Sequence, residues 1–152
     1  MKIYELLDRD PRAALARQVH GAPRRRNMER HAVHVRDHQL TIDEPLDAGG
    51  QDTGPDPQEL LAASLASCTA ITMEMYAARK GWDIGHVEVG VEYSPAERGC
   101  PTKFELVISL PDDLPLEQVE RLQVIAAKCP VHRALDGEVM FQERIRLVHM
   151  AA

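Results

Sequence analysis

The chain has 152 residues, a length that is typical of one domain with its own hydrophobic core. Hydrophobic residues make up 44% and charged residues 28% of the chain, which is an ordinary globular composition. Only 4% of the residues are aromatic and the formal net charge is -6, so we expect no nucleic acid among the partners.

The N-terminal third predicts an arm followed by short strands. We expect either a short helix over residues 1–10, stopped by Pro11, or an N-terminal arm over residues 1–13. Loose alternation over residues 14–20 and 28–35 predicts two strands joined by a turn at residues 21–27. A third strand is predicted over residues 39–42. The loop that follows is dense in Gly, Pro and Asp, and its acidic residues Asp43, Glu44 and Asp52 are expected in solvent.

The segment PDPQELLAASLASCTAITMEMYAARK, residues 55–80, predicts a long helix. Asp56 before Pro57 is a favourable N-cap, and Glu59 in the first turn lies near the positive end of the helix dipole. Basic residues close the last turn and Gly81 follows them as the expected C-cap. The capping residues therefore predict where this helix begins and where it ends.

This helix is predicted to be buried on all sides, because residues 60–73 carry no charge. The uncharged run is shorter than the ~18 residues of a membrane span, so we expect burial in protein and no membrane partner. A sheet on one side and a short second helix are too little cover for one chain. We therefore expect a symmetric homodimer in which two central helices pack together.

The second half of the chain predicts a hairpin, two helices and a last strand. Alternation over residues 86–93 and 103–110 indicates the hairpin. An apolar stripe over residues 116–128 indicates an amphipathic helix, and residues 131–137 predict a shorter one. Residues 139–148 alternate again and predict a strand. The order of elements indicates one α+β domain over the whole chain, with antiparallel sheets around a long buried central helix.

Cysteine usage and the N-terminus both predict a cytoplasmic protein. The three cysteines are odd in number and contain no CxxC pair, so they do not form a disulfide scaffold. Free thiols are typical of a reducing compartment. Residues 1–15 mix charged and apolar side chains and show no signal-peptide pattern.

Two of the thiols are candidates for chemistry. Cys68 lies in the middle of the predicted central helix, where a small buried core residue is an equally good interpretation. Cys129 precedes Pro130, and the N-terminus of the helix that follows would favour a thiolate there. Cys100 lies in a polar turn and is either a surface thiol or a second resolving thiol. Cys129 and His132 form a single CxxH pair, and a zinc site would need a second pair that the sequence does not provide.

The segments DEPLDAGGQDTGPDPQELLAASLASCTAITMEMYAARKGW and IAAKCPVHRAL, residues 43–82 and 125–135, resemble the OsmC/Ohr family of osmotically inducible and organic hydroperoxide resistance proteins. The order of predicted strands and helices resembles this family over nearly the whole chain. The resemblance implies an OsmC-like fold, in which antiparallel sheets wrap two central helices in an intertwined homodimer. It also implies active sites at the interface between the two chains.

The resemblance further implies a thiol-dependent peroxidase that reduces organic hydroperoxides without a metal or another cofactor. Cys68 would attack the peroxide and become a sulfenic acid, and Cys129 would resolve that acid as a disulfide. An external dithiol, in this family often a lipoyl-bearing protein, would then reduce the disulfide. The apolar side chains expected near Cys68, namely Leu65, Ile71, Met73 and Met75, favour alkyl peroxides over hydrogen peroxide.

The family holds its thiolate with an Arg and a Glu, and here the sequence departs from the pattern. The position ten residues before Cys68 is Gln58, and Glu59 follows it. Nine residues on a continuous helix are about 2.5 turns, so Glu59 begins on the face opposite Cys68. Glu59 therefore acts after a bend, orients another group, or is only a first-turn charge. For the Arg we select Arg26 from the cluster in the predicted turn, with a solvated turn as the alternative.

Two other classes of function remain open at this point. One is a non-catalytic stress protein that keeps the fold and binds a hydrophobic ligand. The other is a thiol redox sensor that turns over peroxide slowly. Counting free thiols before and after one equivalent of an alkyl hydroperoxide separates these alternatives from a peroxidase.

Overall fold

A computed structural model of the protein describes the backbone of residues 22–24 and 27–147, with side chains from residue 30 onwards. The predicted N-terminal arm, the predicted strand at residues 14–20 and Arg26 lie outside the described residues. The chain divides into two compact units at residue 62, within its longest helix. The two units are described in turn, and the prediction of one domain over residues 1–152 stays a prediction.

Three antiparallel strands form the sheet of the first unit, in the order β1, β2, β3. They are β1 (Ala22–Arg24), β2 (Asn27–Val35) and β3 (His38–Ile42). Strands β2 and β3 pair from His31 with Ile42 to Val35 with His38. The turn predicted at residues 21–27 is partly wrong, because β1 lies within it. Backbone pairing with β2 forms this strand, and three residues are too few to show an alternating pattern.

The glycine-rich loop after β3 is built around a buried carboxylate. Asp43 is only 1% exposed. It accepts hydrogen bonds from the Thr53 hydroxyl at 2.6 Å, the Thr53 N–H at 3.1 Å and the Glu44 N–H at 3.0 Å. The expectation that Asp43 lies in solvent is therefore wrong, because hydrogen bonds within the loop replace those to water.

Close backbone contact explains a glycine in the same loop. A Cβ atom on Gly54 would lie 2.1 Å from the carbonyl oxygen of Thr41. The backbone N–H of Asp43 also donates to the carbonyl of Pro55 at 3.3 Å. The loop contains one short 3-10 helix, Leu46–Ala48, and otherwise keeps its shape through these backbone and carboxylate contacts.

The long helix α1 (Pro57–Lys80) begins and ends where the sequence predicts. Asp56 Oδ1 accepts the N–H groups of Gln58 and Glu59 at 2.7 Å, and Glu59 Oε2 accepts the N–H of Asp56 at 2.9 Å. This reciprocal pair is a capping box. Gly81, at φ +68°, closes the helix, and the N–H of the next residue bonds to the carbonyl of Ala77 at 3.0 Å.

Only one stripe of α1 is buried in the single chain. Its members recur every four residues: Leu65, Thr69, Met73 and Ala77. Ile71 and Met75 are 53% and 58% exposed. The prediction that α1 is buried on all sides therefore holds for one side of the helix in the single chain. The homodimer that would cover the other sides stays a prediction. By length and composition α1 could cross a membrane, but the core helices of water-soluble domains pass the same test.

The second unit is an α+β arrangement around that stripe. Strands β4 (Glu88–Ser94) and β5 (Lys103–Ser109) form the predicted antiparallel hairpin, with alternating burial along both strands. Helices α2 (Leu116–Ala126) and α3 (Pro130–Leu135) follow. The buried core has members from α1, α2 and the segment before β4: Met73, Ala77, Ile84, Val87, Leu122 and Ala126. The two small antiparallel sheets and the long helix confirm the predicted α+β class.

The strand predicted over residues 139–148 is wrong for the part that the structure describes. Residues 139–147 adopt no strand, and Phe141, Ile145 and Leu147 are 86%, 90% and 94% exposed. Alternation shows that a segment has one apolar face, but a strand also needs a neighbouring strand for its backbone groups. Within the described chain this segment pairs with none.

Candidate thiol site

The fold brings Cys68 and Cys129 together although they are far apart in the sequence. Cys68 lies on α1 beside the buried stripe and is half-buried, whereas Cys129 is fully buried. Thr69, the residue after Cys68 on α1, donates to the Cys129 sulfur, and Cys129 lies close enough to Cys68 to raise the pKa of that thiol. All three cysteines of the chain are free thiols. Two of the four predicted site residues are therefore neighbours.

Cys129 is held at the N-terminus of α3. Pro130 begins this helix, and Cys129 is its N-cap. The Cys129 sulfur accepts the backbone N–H of His132 at 3.2 Å. Proline suits the first position of a helix because no N–H is needed there, so the Cys-Pro sequence itself sets this geometry.

Thr69 is a second donor to the same sulfur, and the sequence analysis did not identify it. Its side chain is fully buried, and its hydroxyl lies 3.7 Å from the Cys129 sulfur. The sequence did contain a signal for Thr69, because it lies four positions after Leu65 and four before Met73, on the same apolar stripe of the helix. On an apolar stripe such a hydroxyl must find a partner.

The surroundings of Cys68 favour its protonated form. Burial raises the pKa of the Cys68 thiol above its ordinary value, and the neighbouring Cys129 raises it further. The N–H of Val131 and the hydroxyl of Thr72 act in the opposite direction and lower this pKa. The net direction is upward, because taking a thiolate out of water is unfavourable.

A cavity of about 220 Å³ is lined in part by His132, the residue whose N–H donates to the Cys129 sulfur. It shares His132 with the Cys129 site and includes Leu65, one helical turn before Cys68. Its lining combines four apolar side chains with polar groups: Leu65, Phe104, Leu106 and Leu135, with Thr102, His132 and Asp136. His132 Nδ1 is buried and has no hydrogen-bond partner among the described residues.

The four apolar residues expected near Cys68 lie in different surroundings in the single chain. Leu65 lines the cavity beside the thiols. Met73 lines a different cavity, of about 280 Å³, with residues of β5 and α2. Ile71 and Met75 lie on the exposed side of α1. The difference arises because the α1 stripe that faces the protein interior runs through Thr69 and not through Cys68.

The other two predicted site residues are Glu59 and Arg26. The Glu59 carboxylate is engaged in the capping box with Asp56, which matches the first-turn alternative given above. Arg26 lies outside the described residues, so its role stays a prediction. Arg30, from the same basic cluster, is exposed.

The remaining cysteine and the histidines form no further cluster within the described part of the chain. Cys100 is exposed at the hairpin turn, where its backbone pairs with that of Glu97. Over residues 22–24 and 27–147, no group of three or more His, Cys, Asp or Glu side chains is placed to hold a metal ion.

The sequence and the fold together define a class of protein. The profile of the OsmC-like protein family matches residues 49–144, a segment that includes the second part of the loop, α1, both strands of the hairpin and the two thiols Cys68 and Cys129. This protein belongs to the OsmC-like family, as the resemblance predicted. No curated protein sequence matches the chain.

Solved structures of the same class share the fold. The organic hydroperoxide resistance protein OhrB of Bacillus subtilis is 26% identical, with a TM-score of 0.55 over 79% of this chain and 90% of that one. The organic hydroperoxide resistance protein OsmC of Legionella pneumophila is 23% identical, with a TM-score of 0.58 over 78% and 88%. An OsmC-like protein from Mycoplasma pneumoniae is 19% identical, with a TM-score of 0.61 over 71% and 79%.

Proposed function

We propose that this protein is a thiol-dependent peroxidase that reduces organic hydroperoxides in defence against oxidative stress. The observation that carries the proposal is the pairing of half-buried Cys68 with buried Cys129 beside a partly apolar cavity. Two solved relatives of similar fold are named organic hydroperoxide resistance proteins, which supports the same class of substrate.

The pair is suited to a two-step oxidation. Cys68, the more accessible sulfur, attacks one oxygen of the O–O bond as a thiolate, which gives a sulfenic acid and releases the other oxygen as the alcohol. The Cys129 sulfur then attacks the sulfenic sulfur, which forms the Cys68–Cys129 disulfide and releases water. A dithiol, such as a dihydrolipoyl group, then reduces this disulfide to two thiols and is itself oxidised to a disulfide.

The cavity supports an organic rather than an inorganic peroxide. Leu65, Phe104, Leu106 and Leu135 offer apolar contact to an alkyl or aryl group, whereas hydrogen peroxide has no such group to bury. We expect cumene hydroperoxide to be consumed faster than hydrogen peroxide. Equal or faster consumption of hydrogen peroxide by the purified protein would contradict this part of the proposal.

The proposal includes a cytoplasmic homodimer that needs no metal or other cofactor. The apolar, exposed side of α1, with Ile71 and Met75, supports a second chain as its cover. Sedimentation at low micromolar concentration should give twice the mass of the chain. A monomer at that concentration would contradict the dimer without affecting the chemistry of the thiol pair.

Steady-state turnover with dihydrolipoamide as reductant tests the activity. Cys68→Ser should abolish consumption of cumene hydroperoxide, because no sulfenic acid can form. Cys129→Ser should allow a single oxidation and then stop turnover with the dithiol. Cys100→Ser is the matched control and should keep the wild-type rate, because Cys100 is exposed at the hairpin turn. Full activity in Cys68→Ser would overturn the proposal.

A redox sensor is the second candidate, and one observation favours it. The pKa of Cys68 is raised, so little of this thiol is reactive thiolate near neutral pH. A sensor would form the same disulfide but turn over slowly. Formation of the Cys68–Cys129 disulfide by one equivalent of hydroperoxide, at a rate too slow for turnover with any dithiol tested, would favour the sensor over the peroxidase.

A further inference from the structure

The hydroxyl residues of α1 make two different kinds of hydrogen bond. The Thr72 hydroxyl donates to the carbonyl of Cys68 at 2.7 Å, and the Ser67 hydroxyl donates to the carbonyl of Ala63 at 2.8 Å. Bonds of this kind, to the preceding turn of the same helix, are the usual solution for Ser and Thr within helices. Thr69 is the exception, because its hydroxyl donates to the Cys129 sulfur.

The Cys129 sulfur therefore accepts two hydrogen bonds from different donors. One comes from the Thr69 hydroxyl at 3.7 Å and the other from the His132 N–H at 3.2 Å. Donors of this kind stabilise a sulfur most when it carries negative charge. A disulfide sulfur is a weaker acceptor, so the two bonds should strengthen when the Cys129 sulfur leaves a disulfide as a thiolate.

Access to the two sulfurs is also unequal. The Cys129 residue is 0% exposed, whereas Cys68 is half-buried. An incoming thiolate must approach the sulfur that it attacks in line with the S–S bond, so access decides which sulfur is attacked. Access favours attack on the Cys68 sulfur, and the two donors favour Cys129 as the thiolate that leaves.

We propose that a thiol reductant attacks the Cys68 sulfur of the Cys68–Cys129 disulfide, and that Thr69 is a positioning residue for Cys129 as the leaving thiolate. The inference rests on the disulfide of the proposed function and adds the direction of its reduction. The reductant thiolate bonds to the Cys68 sulfur, the S–S bond breaks, and its electron pair goes to Cys129. With a dithiol, the second thiolate of the reductant attacks the reductant sulfur that is bonded to Cys68. The reductant becomes a disulfide and Cys68 is released as a thiolate.

Mapping the first exchange product tests the direction on the wild-type protein. The disulfide is made with diamide, so that no peroxide is needed, and is treated briefly with limiting glutathione. The free thiols are then blocked with N-ethylmaleimide, and the peptides are analysed by mass spectrometry. We expect the product with glutathione on Cys68 and N-ethylmaleimide on Cys129 to exceed the reverse product by at least about tenfold. A tenfold ratio corresponds to the free energy of about one hydrogen bond that stabilises one leaving thiolate and not the other.

Variants of Thr69 test its positioning role. Thr69→Val should slow reduction of the disulfide about tenfold and make its reduction potential more negative by about 30 mV, the equivalent of a tenfold change in the equilibrium constant. Thr69→Ser keeps the donor and should restore both values. Ser67→Ala is the matched control from the same helix, since its hydroxyl bonds only to backbone carbonyls.

The outcomes separate this inference from the proposed function. Glutathione on Cys129, an even distribution, or a chain that forms no Cys68–Cys129 disulfide with diamide would overturn the inference. Wild-type rate and potential in Thr69→Val would overturn the role of Thr69. If an alkyl hydroperoxide leaves the thiols reduced while the diamide-made disulfide opens at Cys68, then the peroxidase proposal fails and the direction of reduction stands.

Discussion

The loop around Asp43 and the thiol site both bury polar groups, but they satisfy them differently. Asp43 accepts three short hydrogen bonds, and the hydroxyl of Thr53 is the largest cause of its lowered pKa. In the thiol site burial raises the pKa of Cys68, and His132 Nδ1 has no partner among the described residues. Full satisfaction is typical of groups that hold a structure, and incomplete satisfaction is typical of groups that react.

This contrast teaches which substitutions should change stability and which should change reactivity. Changes in the loop should lower the free energy of unfolding and leave the chemistry of the thiols unaltered. Changes in the thiol site should do the reverse.

Gly54→Ala should destabilise the protein by roughly 2–3 kcal/mol, because the added Cβ would overlap the Thr41 carbonyl and force the backbone to shift. Urea unfolding measures the loss. Gly90→Ala is the control, since the nearest atom to its Cβ would be the Val107 carbonyl oxygen at 3.9 Å. Equal stability of the two variants would show that the loop backbone accommodates the added Cβ without cost.

Thr53→Val should lower stability at neutral pH and less so in acid. The lowered pKa means that the folded state favours the Asp43 carboxylate over its protonated form. That stabilisation is present above the ordinary aspartate value of 3.8 and is lost as the pH falls through the folded-state pKa. Urea unfolding at pH 7 and pH 3 should show the difference between variant and wild type shrinking in acid. If the difference in the free energy of unfolding is the same at both pH values, then the Thr53 side chain acts through packing and not through the Asp43 carboxylate.

Cys68 should react with iodoacetamide along a pH profile whose midpoint lies above that of an ordinary cysteine. Burial is the main cause, and Cys129 adds to it, so Cys129→Ala should move the midpoint downward. Mass spectrometry of the Cys68 peptide follows the rate at each pH. Cys100→Ala is the control and should leave the profile unchanged. If the profile also stays unchanged in Cys129→Ala, then Cys129 does not affect the pKa of Cys68.

The smallest expected effect is that of Cys68→Ser on stability. We expect a change of less than about 1 kcal/mol in the free energy of unfolding, because the side chain is half-buried and keeps its size. Thermal and urea unfolding would measure it. A loss as large as that of Gly54→Ala would show that Cys68 is a structural core residue and would remove the contrast between the two regions.

Elements with local signals were predicted well from the sequence. The N-cap and C-cap residues of α1 gave its boundaries, and alternation gave the β4–β5 hairpin. Both depend on interactions between residues that are close in the chain. The family resemblance selected Cys68 and Cys129, and the structure brings Cys129 into contact with Thr69, the residue after Cys68.

Features that depend on distant partners were missed. The burial of Asp43 depends on Thr53, ten residues later, and the role of Thr69 depends on Cys129, sixty residues later. The alternation over residues 139–147 gave an apolar face but could not supply a neighbouring strand. Such contacts follow from the fold and not from the pattern of neighbouring residues.

The most direct test of the account is to map the thiols after one equivalent of an alkyl hydroperoxide. The account predicts loss of two free thiols per chain and a peptide pair linked by a Cys68–Cys129 disulfide, with Cys100 still free. In Cys129→Ser it predicts a sulfenic acid on Cys68. Thiols that remain reduced, or a disulfide that includes Cys100 in place of either partner, would contradict it.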